Sequence, residues 1–197
     1  MSDSSIEDAK AALRVRAKAQ RAAIAPAIKS QAAIAAAAAF IEGVPLAPTD
    51  IVAGYWPIRE EFDCKPLLIL LMDSMQPVCL PVVLGEGLPL DMRLWEQGAP
   101  LYPSGFGTLA PSEIAPKVQP DVVIMPLLGF DSQGTRLGYG GGFYDRTLAA
   151  MRKRPRLIGF AFAAQELPAI PREPHDQPLD VLITEAGIRT FSTGNAA

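Results

Sequence analysis

The sequence predicts an α/β fold: a single three-layer domain with a central, mostly parallel sheet, helices on both faces and a helical hairpin at the N-terminus. Three observations predict it. Short runs apolar on successive residues, such as Asp121 to Met125, read as strands buried on both faces. These runs alternate with segments of helical composition, the order of βαβ units. The 197 residues, 49% hydrophobic and 20% charged, suffice for one self-folding core.

Taken in order, Ser4 and Glu7 have capping-box spacing, and good helix formers run from Ile6 to Ile24. Pro26 stops that helix or begins the next, an alanine-rich helix reaching Gly43 as its C-terminal cap. Ile51 to Tyr55 then reads as a short buried strand, Lys65 to Met75 as a helix, and Val78 to Val83 and Leu90 to Trp95 as strands. From Gly98 to Pro120, five prolines and several glycines predict a long irregular connection, and such loops often carry a task. The strand at Asp121 to Met125 leads to Pro126 and a glycine-rich loop, with no strand running directly into the glycines. A helix from about Gly142 to Arg152 follows, then a strand at Leu157 to Phe162 and a last short strand at Val181 to Thr184. No internal repeat or linker divides the chain, so residues 1–197 are expected to form one domain. A sheet so built takes its ligand at the carboxyl ends of its strands.

Composition excludes several functions. Cys64 and Cys79 form neither a disulfide framework nor a C-x-x-C, and the chain holds one histidine, so a zinc site is not expected. Both cysteines have apolar neighbours and read as buried reduced thiols, which suits a reducing compartment. The acidic start of the chain lacks the order of a secretory signal, and Ala32 to Ile41 is too short and too rich in alanine to span a bilayer. A cytoplasmic protein is expected, with no membrane and no obligate protein partner. A net charge of −3 argues against a nucleic-acid surface, so an anionic ligand has to be met locally.

The most informative segment runs from Gly129 to Arg146. Four of the five residues from Gly138 to Gly142 are glycine, and such a run ahead of a helix makes either a cradle of backbone N–H groups for phosphate or a mobile surface hairpin. Arg136 and Arg146 flank it. Neither the P-loop pattern nor the dinucleotide fingerprint fits, because Phe143 stands where the latter wants glycine or alanine. Asp145, in the first helical turn, is either a carboxylate complementing the helix dipole or a ligand for Mg²⁺.

Lys10, Arg14, Lys18 and Arg21 recur at helical spacing and form one basic stripe, either a solvated face or a reach toward phosphates. Tyr55 to Asp63 follows the first strand, where Trp56 beside Glu61 suits a flat heterocycle rich in donors, or else an aromatic core edge with a solvated turn. Asp176, next to His175 in a proline-rich loop, is by itself an ordinary Asx turn.

Together these segments resemble the 5-formyltetrahydrofolate cyclo-ligase family. The resemblance covers nearly the whole chain: Lys10-x-x-Leu13-Arg14, Tyr55-Trp56-Pro57 through Glu61, Phe130 through Arg146, and His175-Asp176, the third block being the most specific. It implies a three-layer α/β enzyme of one-carbon metabolism that uses ATP and Mg²⁺ to convert 5-formyltetrahydrofolate into 5,10-methenyltetrahydrofolate. It also implies phosphorylation of the formyl oxygen, attack by N10, and release of ADP and phosphate. By matching positions it assigns Lys10, Arg14, Arg136, Leu137, Gly138, Tyr139, Gly140, Gly141, Gly142, Phe143 and Tyr144 to ATP. Trp56 and Glu61 are assigned to the folate, with Tyr139 to Phe143 lying between the two substrates and Asp145 and Asp176 holding the metal. No residue is singled out as a general acid or base.

Overall fold

A computed structural model describes residues 3–174 and 176–191. Its helices are α1 (Asp3–Ala22), α2 (Pro26–Gly43), α3 (Lys65–Asp73) and α4 (Phe143–Ala149). Its strands are β1 (Val52–Ala53), β2 (Val78–Val82), β3 (Asp91–Leu94), β4 (Tyr102–Pro103), β5 (Leu109–Ala110), β6 (Val122–Pro126), β7 (Gly129–Phe130), β8 (Arg136–Leu137), β9 (Arg156–Phe160), β10 (Val181–Thr184) and β11 (Gly187–Thr190).

Seven strands form the main sheet in the order β11-β10-β9-β6-β1-β2-β3. The four inner pairings are parallel and only the edge strands β3 and β11 run antiparallel, as expected for a mostly parallel sheet. Each inner strand is apolar on both faces because both faces are covered. Along β6, Val122 and Ile124 face one core while Val123 and Met125 face the other. The first core is closed by α2 and α3. Ala32, Ala33, Ala36 and Ala37 recur on one face of α2, so small side chains let that helix lie close to the sheet. Phe40 then fills the gap edge-on to Phe160 at 6.2 Å, a burial worth about 1.5–3 kcal/mol. The second face is covered by α4 and the segment after β6, through Leu148, Leu127 and Phe130.

Several expectations are corrected in detail. The two N-terminal helices meet at a 99° corner instead of folding back as an antiparallel hairpin. Consequently α2 lies on the sheet while α1 leaves it and joins a separate cluster of Ala17, Leu128, Leu137, Leu167 and Ile170. α1 begins at Asp3, ahead of the expected Ser4 cap, whose side chain lies outside the described residues. Pro26 opens α2, and Gly43 is its last helical residue, with Val44 as the cap. Val181 to Thr184 is not the last strand, since β11 follows it around Glu185 and Ala186. A strand also runs directly into the glycines, for β8 pairs with β7 and ends at Leu137. Among the described residues no single helix is long and apolar enough to cross a membrane.

Candidate active site

The inner strands β1, β2 and β6 end on the same side of the sheet, and a cavity of about 430 Å³ opens beyond those ends. Tyr55 and Trp56 reach it from β1, Val83 from β2 and Pro126 from β6. Every site residue expected from the sequence lines this one cavity: Lys10, Arg14, Trp56, Glu61, the run from Arg136 to Asp145, and Asp176. His175 lies outside the described residues.

The glycine run forms one wall. Gly140 and Gly142 have φ of 95° and 63°, a region that side chains disfavour. Each is also covered by an arginine. A Cβ on Gly140 would stand 3.2 Å from Cζ of Arg14, and one on Gly142 would stand 2.5 Å from Nη1 of Arg146. Arg14 donates through Nε to the Gly138 carbonyl at 3.1 Å, and Arg146 through Nη2 to the Gly141 carbonyl at 2.7 Å. Two carbonyls of the run are thereby occupied by arginines. Among the described residues, no backbone N–H from Gly138 to Gly142 donates to another backbone group, and the first N–H groups of a helix lack partners by geometry. This wall can receive an anion.

Its charges are balanced in pairs. Lys10 is 5% exposed and donates to Glu173 at 2.6 Å and to Asp176 at 2.7 Å. Burial pulls its pKa down, but hydrogen bonds and charge from those two carboxylates outweigh it, so the ammonium is held above its ordinary range. Arg136 pairs with Asp145, and Arg14 with Glu7 at 2.6 Å. Among the described residues no group of three or more acidic, cysteine or histidine side chains forms a metal cluster. Asp145 and Asp176 nevertheless supply hard oxygen donors on the same cavity, and Mg²⁺ is commonly held by one or two carboxylates completed by water and substrate phosphate. The donor set fits that ion.

The opposite wall is a turn locked by its own hydrogen bonds. The Tyr55 hydroxyl donates to the Phe62 carbonyl at 2.6 Å, and the Cys64 thiol to the Tyr55 carbonyl at 3.0 Å, closing the segment into a loop. At its tip Arg59 adopts φ of 51°, which turns the chain so that Ile58 N donates to Oε2 of Glu61 at 2.9 Å. Burial raises the Glu61 pKa, opposed by the Ile58 N–H, the Tyr139 hydroxyl and the charges of Arg21 and Arg59. Trp56 stands edge-on to Trp95 at 6.0 Å with the Lys65 ammonium over its ring.

Two contributions were not legible in advance. The connection from Gly98 to Pro120 contains the β4–β5 ribbon, whose tip brings Phe106 edge-on to Phe143 at 5.2 Å, so Phe106, Thr108 and Leu109 line the cavity. Only the density of turn residues hinted at a structured loop. Glu173 joins Lys10 and Asp176, and its one signal in the sequence is its place three residues before Asp176. The two thiols, by contrast, sit in the sheet core, where burial pushes both up to about 12.

The sequence model of the 5-formyltetrahydrofolate cyclo-ligase family matches residues 6–185. Among curated relatives, the 5-formyltetrahydrofolate cyclo-ligase of Haemophilus influenzae is 32% identical over 140 residues, covering 67% of this chain and 74% of its own. The Escherichia coli enzyme of that name is 31% identical over 151 residues, covering 73% and 82%. Among solved structures, 5,10-methenyltetrahydrofolate synthetase of Aquifex aeolicus superposes with a TM-score of 0.79 at 26% identity, covering 95% of each chain.

Proposed function

Since the chain belongs to the 5-formyltetrahydrofolate cyclo-ligase family and carries out its conversion of 5-formyltetrahydrofolate to 5,10-methenyltetrahydrofolate, we propose how its residues divide the work. The observation that carries the reading is the convergence of the expected residues on one cavity, with anion-receiving glycines on one wall and a half-buried acceptor carboxylate on the other.

ATP lies along the glycine wall. Backbone N–H groups from Gly138 to Gly142, with Leu137, Phe143 and Tyr144 beside them, cradle its phosphates, while Lys10, Arg14 and Arg136 supply positive charge. Asp145 and Asp176, which pair with Arg136 and Lys10 here, would hold Mg²⁺, and those cations would then be available to phosphate. That ion, when bound, neutralises charge on the phosphates during transfer. The pterin lies against Trp56 with its N–H edge on Glu61, and Tyr139 to Phe143 separate the two substrates.

The γ-phosphoryl group passes from ATP to the N5-formyl oxygen, leaving ADP. N10 then attacks the activated formyl carbon, loses its proton, and the oxygen departs with phosphate. An amide-like oxygen is a poor leaving group and phosphate a good one, so the protein's task is positioning and charge stabilisation. No covalent nucleophile is needed, and the buried thiols keep their protons at neutral pH. All of this occurs within one domain, in the cytoplasm, where free thiols such as Cys64 and Cys79 persist.

The test is turnover with 5-formyltetrahydrofolate, ATP and Mg²⁺, following methenyl absorbance and ADP together. One ADP per methenyl product is expected. Product without ADP, or binding of both substrates without turnover, overturns the scheme.

A further inference from the structure

Arg21 closes the basic stripe of α1, yet it neither faces solvent nor lines the cavity: it is 4% exposed. A guanidinium cannot shed its charge, so burial demands partners. No carboxylate forms an ion pair with it among the described residues. Instead Nη1 donates to the Tyr139 hydroxyl at 2.8 Å and to the Leu127 carbonyl at 3.4 Å, its Cζ lies 5.6 Å from the centre of the Tyr139 ring, and Nε is buried without a partner. Tyr139 lines the cavity together with Glu61, and the two influence each other's titration.

The direction of this hydrogen bond is fixed by chemistry. Arginine donates and never accepts, so the Tyr139 oxygen has to accept from it, and the hydroxyl has one proton left to give. An ionised carboxylate only accepts. That proton is left for a carboxylate on the cavity, and Glu61, which accepts from Ile58 N–H at 2.9 Å, lines it with Tyr139.

We propose that Arg21 is a positioning residue for the folate end of the cavity: it holds the Tyr139 hydroxyl on the space that Glu61 also lines, and ties the helix bearing Lys10 and Arg14 to that end. The inference rests on the reading that Glu61 meets the pterin. Arg21 does not line the cavity, and among the described residues its one side-chain hydrogen-bond partner is the tyrosine.

The experiment is steady-state kinetics, with both KM values and kcat, on Arg21→Met, Arg21→Lys, Tyr139→Phe, Arg21→Met combined with Tyr139→Phe, and Glu61→Gln. Arg21→Met and Tyr139→Phe are each expected to raise the KM for 5-formyltetrahydrofolate about tenfold while that for ATP stays within about twofold. Their combination is expected to cost no more than either alone, within about twofold, because both break one relay. Arg21→Lys, which keeps the charge and a donor, recovers part of the loss. Effects that multiply, or a KM for ATP that rises in step, overturn the proposal. If circular dichroism shows Arg21→Met unfolded, Tyr139→Phe and Arg21→Lys decide: an unchanged folate KM in both sinks it. A Glu61→Gln variant with wild-type folate kinetics removes both this inference and the pterin assignment beneath it. A strong Glu61→Gln effect beside silent Arg21 and Tyr139 variants removes this inference alone.

Discussion

The two walls of the cavity solve opposite problems. The glycine wall presents backbone donors and cations, and it keeps those cations satisfied with its own carboxylates, Asp145 on Arg136 and Glu173 with Asp176 on Lys10. The wall at Tyr55 to Glu61 presents one carboxylate whose burial is opposed mainly by neutral donors, Ile58 N–H and Tyr139 O–H. The difference teaches that each proposed substrate is met in its own currency of interaction. On the proposed assignment the phosphate end depends on exchanging charge partners, so it should answer to metal and to loss of cations. The pterin end depends on hydrogen-bond direction in a dry setting, so it should answer to protonation and to isosteric change.

The largest expected effect is at the phosphate end. Treatment with EDTA and metal-free dialysis should lower kcat by about a hundredfold or more, restored by Mg²⁺, since uncompensated phosphate charge raises the barrier by several kcal/mol. Full activity in metal-free enzyme would erase the role given to Asp145 and Asp176.

Next comes Glu61→Gln, which keeps shape but turns an N–H₂ group toward donors. A loss of about 1.5–3 kcal/mol, roughly ten- to hundredfold in kcat/KM for 5-formyltetrahydrofolate, is expected with ATP affinity unchanged. Damage to ATP binding instead would mean that the two walls are not chemically separate.

Lys10→Ala should raise the KM for ATP about tenfold and that for the folate less than about twofold. Equal changes in both would point to general loosening from the stranded carboxylates of Glu173 and Asp176.

The smallest effect expected is in pH dependence. Burial raises the Glu61 pKa, so the folded protein holds that proton at a higher pH than an unfolded chain does. This carboxyl therefore contributes stability that is present at low pH and lost as pH rises through its folded pKa. Function runs the other way. The KM for 5-formyltetrahydrofolate should begin to climb, on acidification, at a pH above the ordinary carboxylate range, and the KM for ATP should not follow it. A folate KM flat down to that range would place Glu61 in water.

Much of the fold was legible because burial on both faces writes an unbroken apolar run, as in Val122 to Met125 and Val181 to Ile183. Where that condition fails, so does the reading. β11 is exposed at three of its four residues, and the connection before it is short, so nothing in Gly187 to Thr190 announces a strand. β1 is assigned at only two residues because the chain peels away at Tyr55 to build the site. Glycines at 140 and 142 pointed to the cradle, since left-handed backbone needs them. The burial of Arg21 could not be read from its spacing, because the stripe it shares with Lys10 and Arg14 is equally compatible with solvent. What buries it is the 99° corner that swings α1 over Leu127 and Tyr139.

That corner also sets how firmly the site is built. α1 carries Lys10, Arg14 and Arg21, but its apolar anchorage is the small cluster of Ala17 and Leu13 on Leu128, Leu137, Leu167 and Ile170, apart from the two cores that hold the sheet. Segments with few buried apolar contacts open at lower free energy than the whole protein. Amide hydrogen exchange should thus run faster in α1 than in β6 or β9 of the free protein. ATP, by engaging Lys10 and Arg14, should slow exchange along the helix far more than in the sheet, so that nucleotide completes the local stability of the helix that receives it.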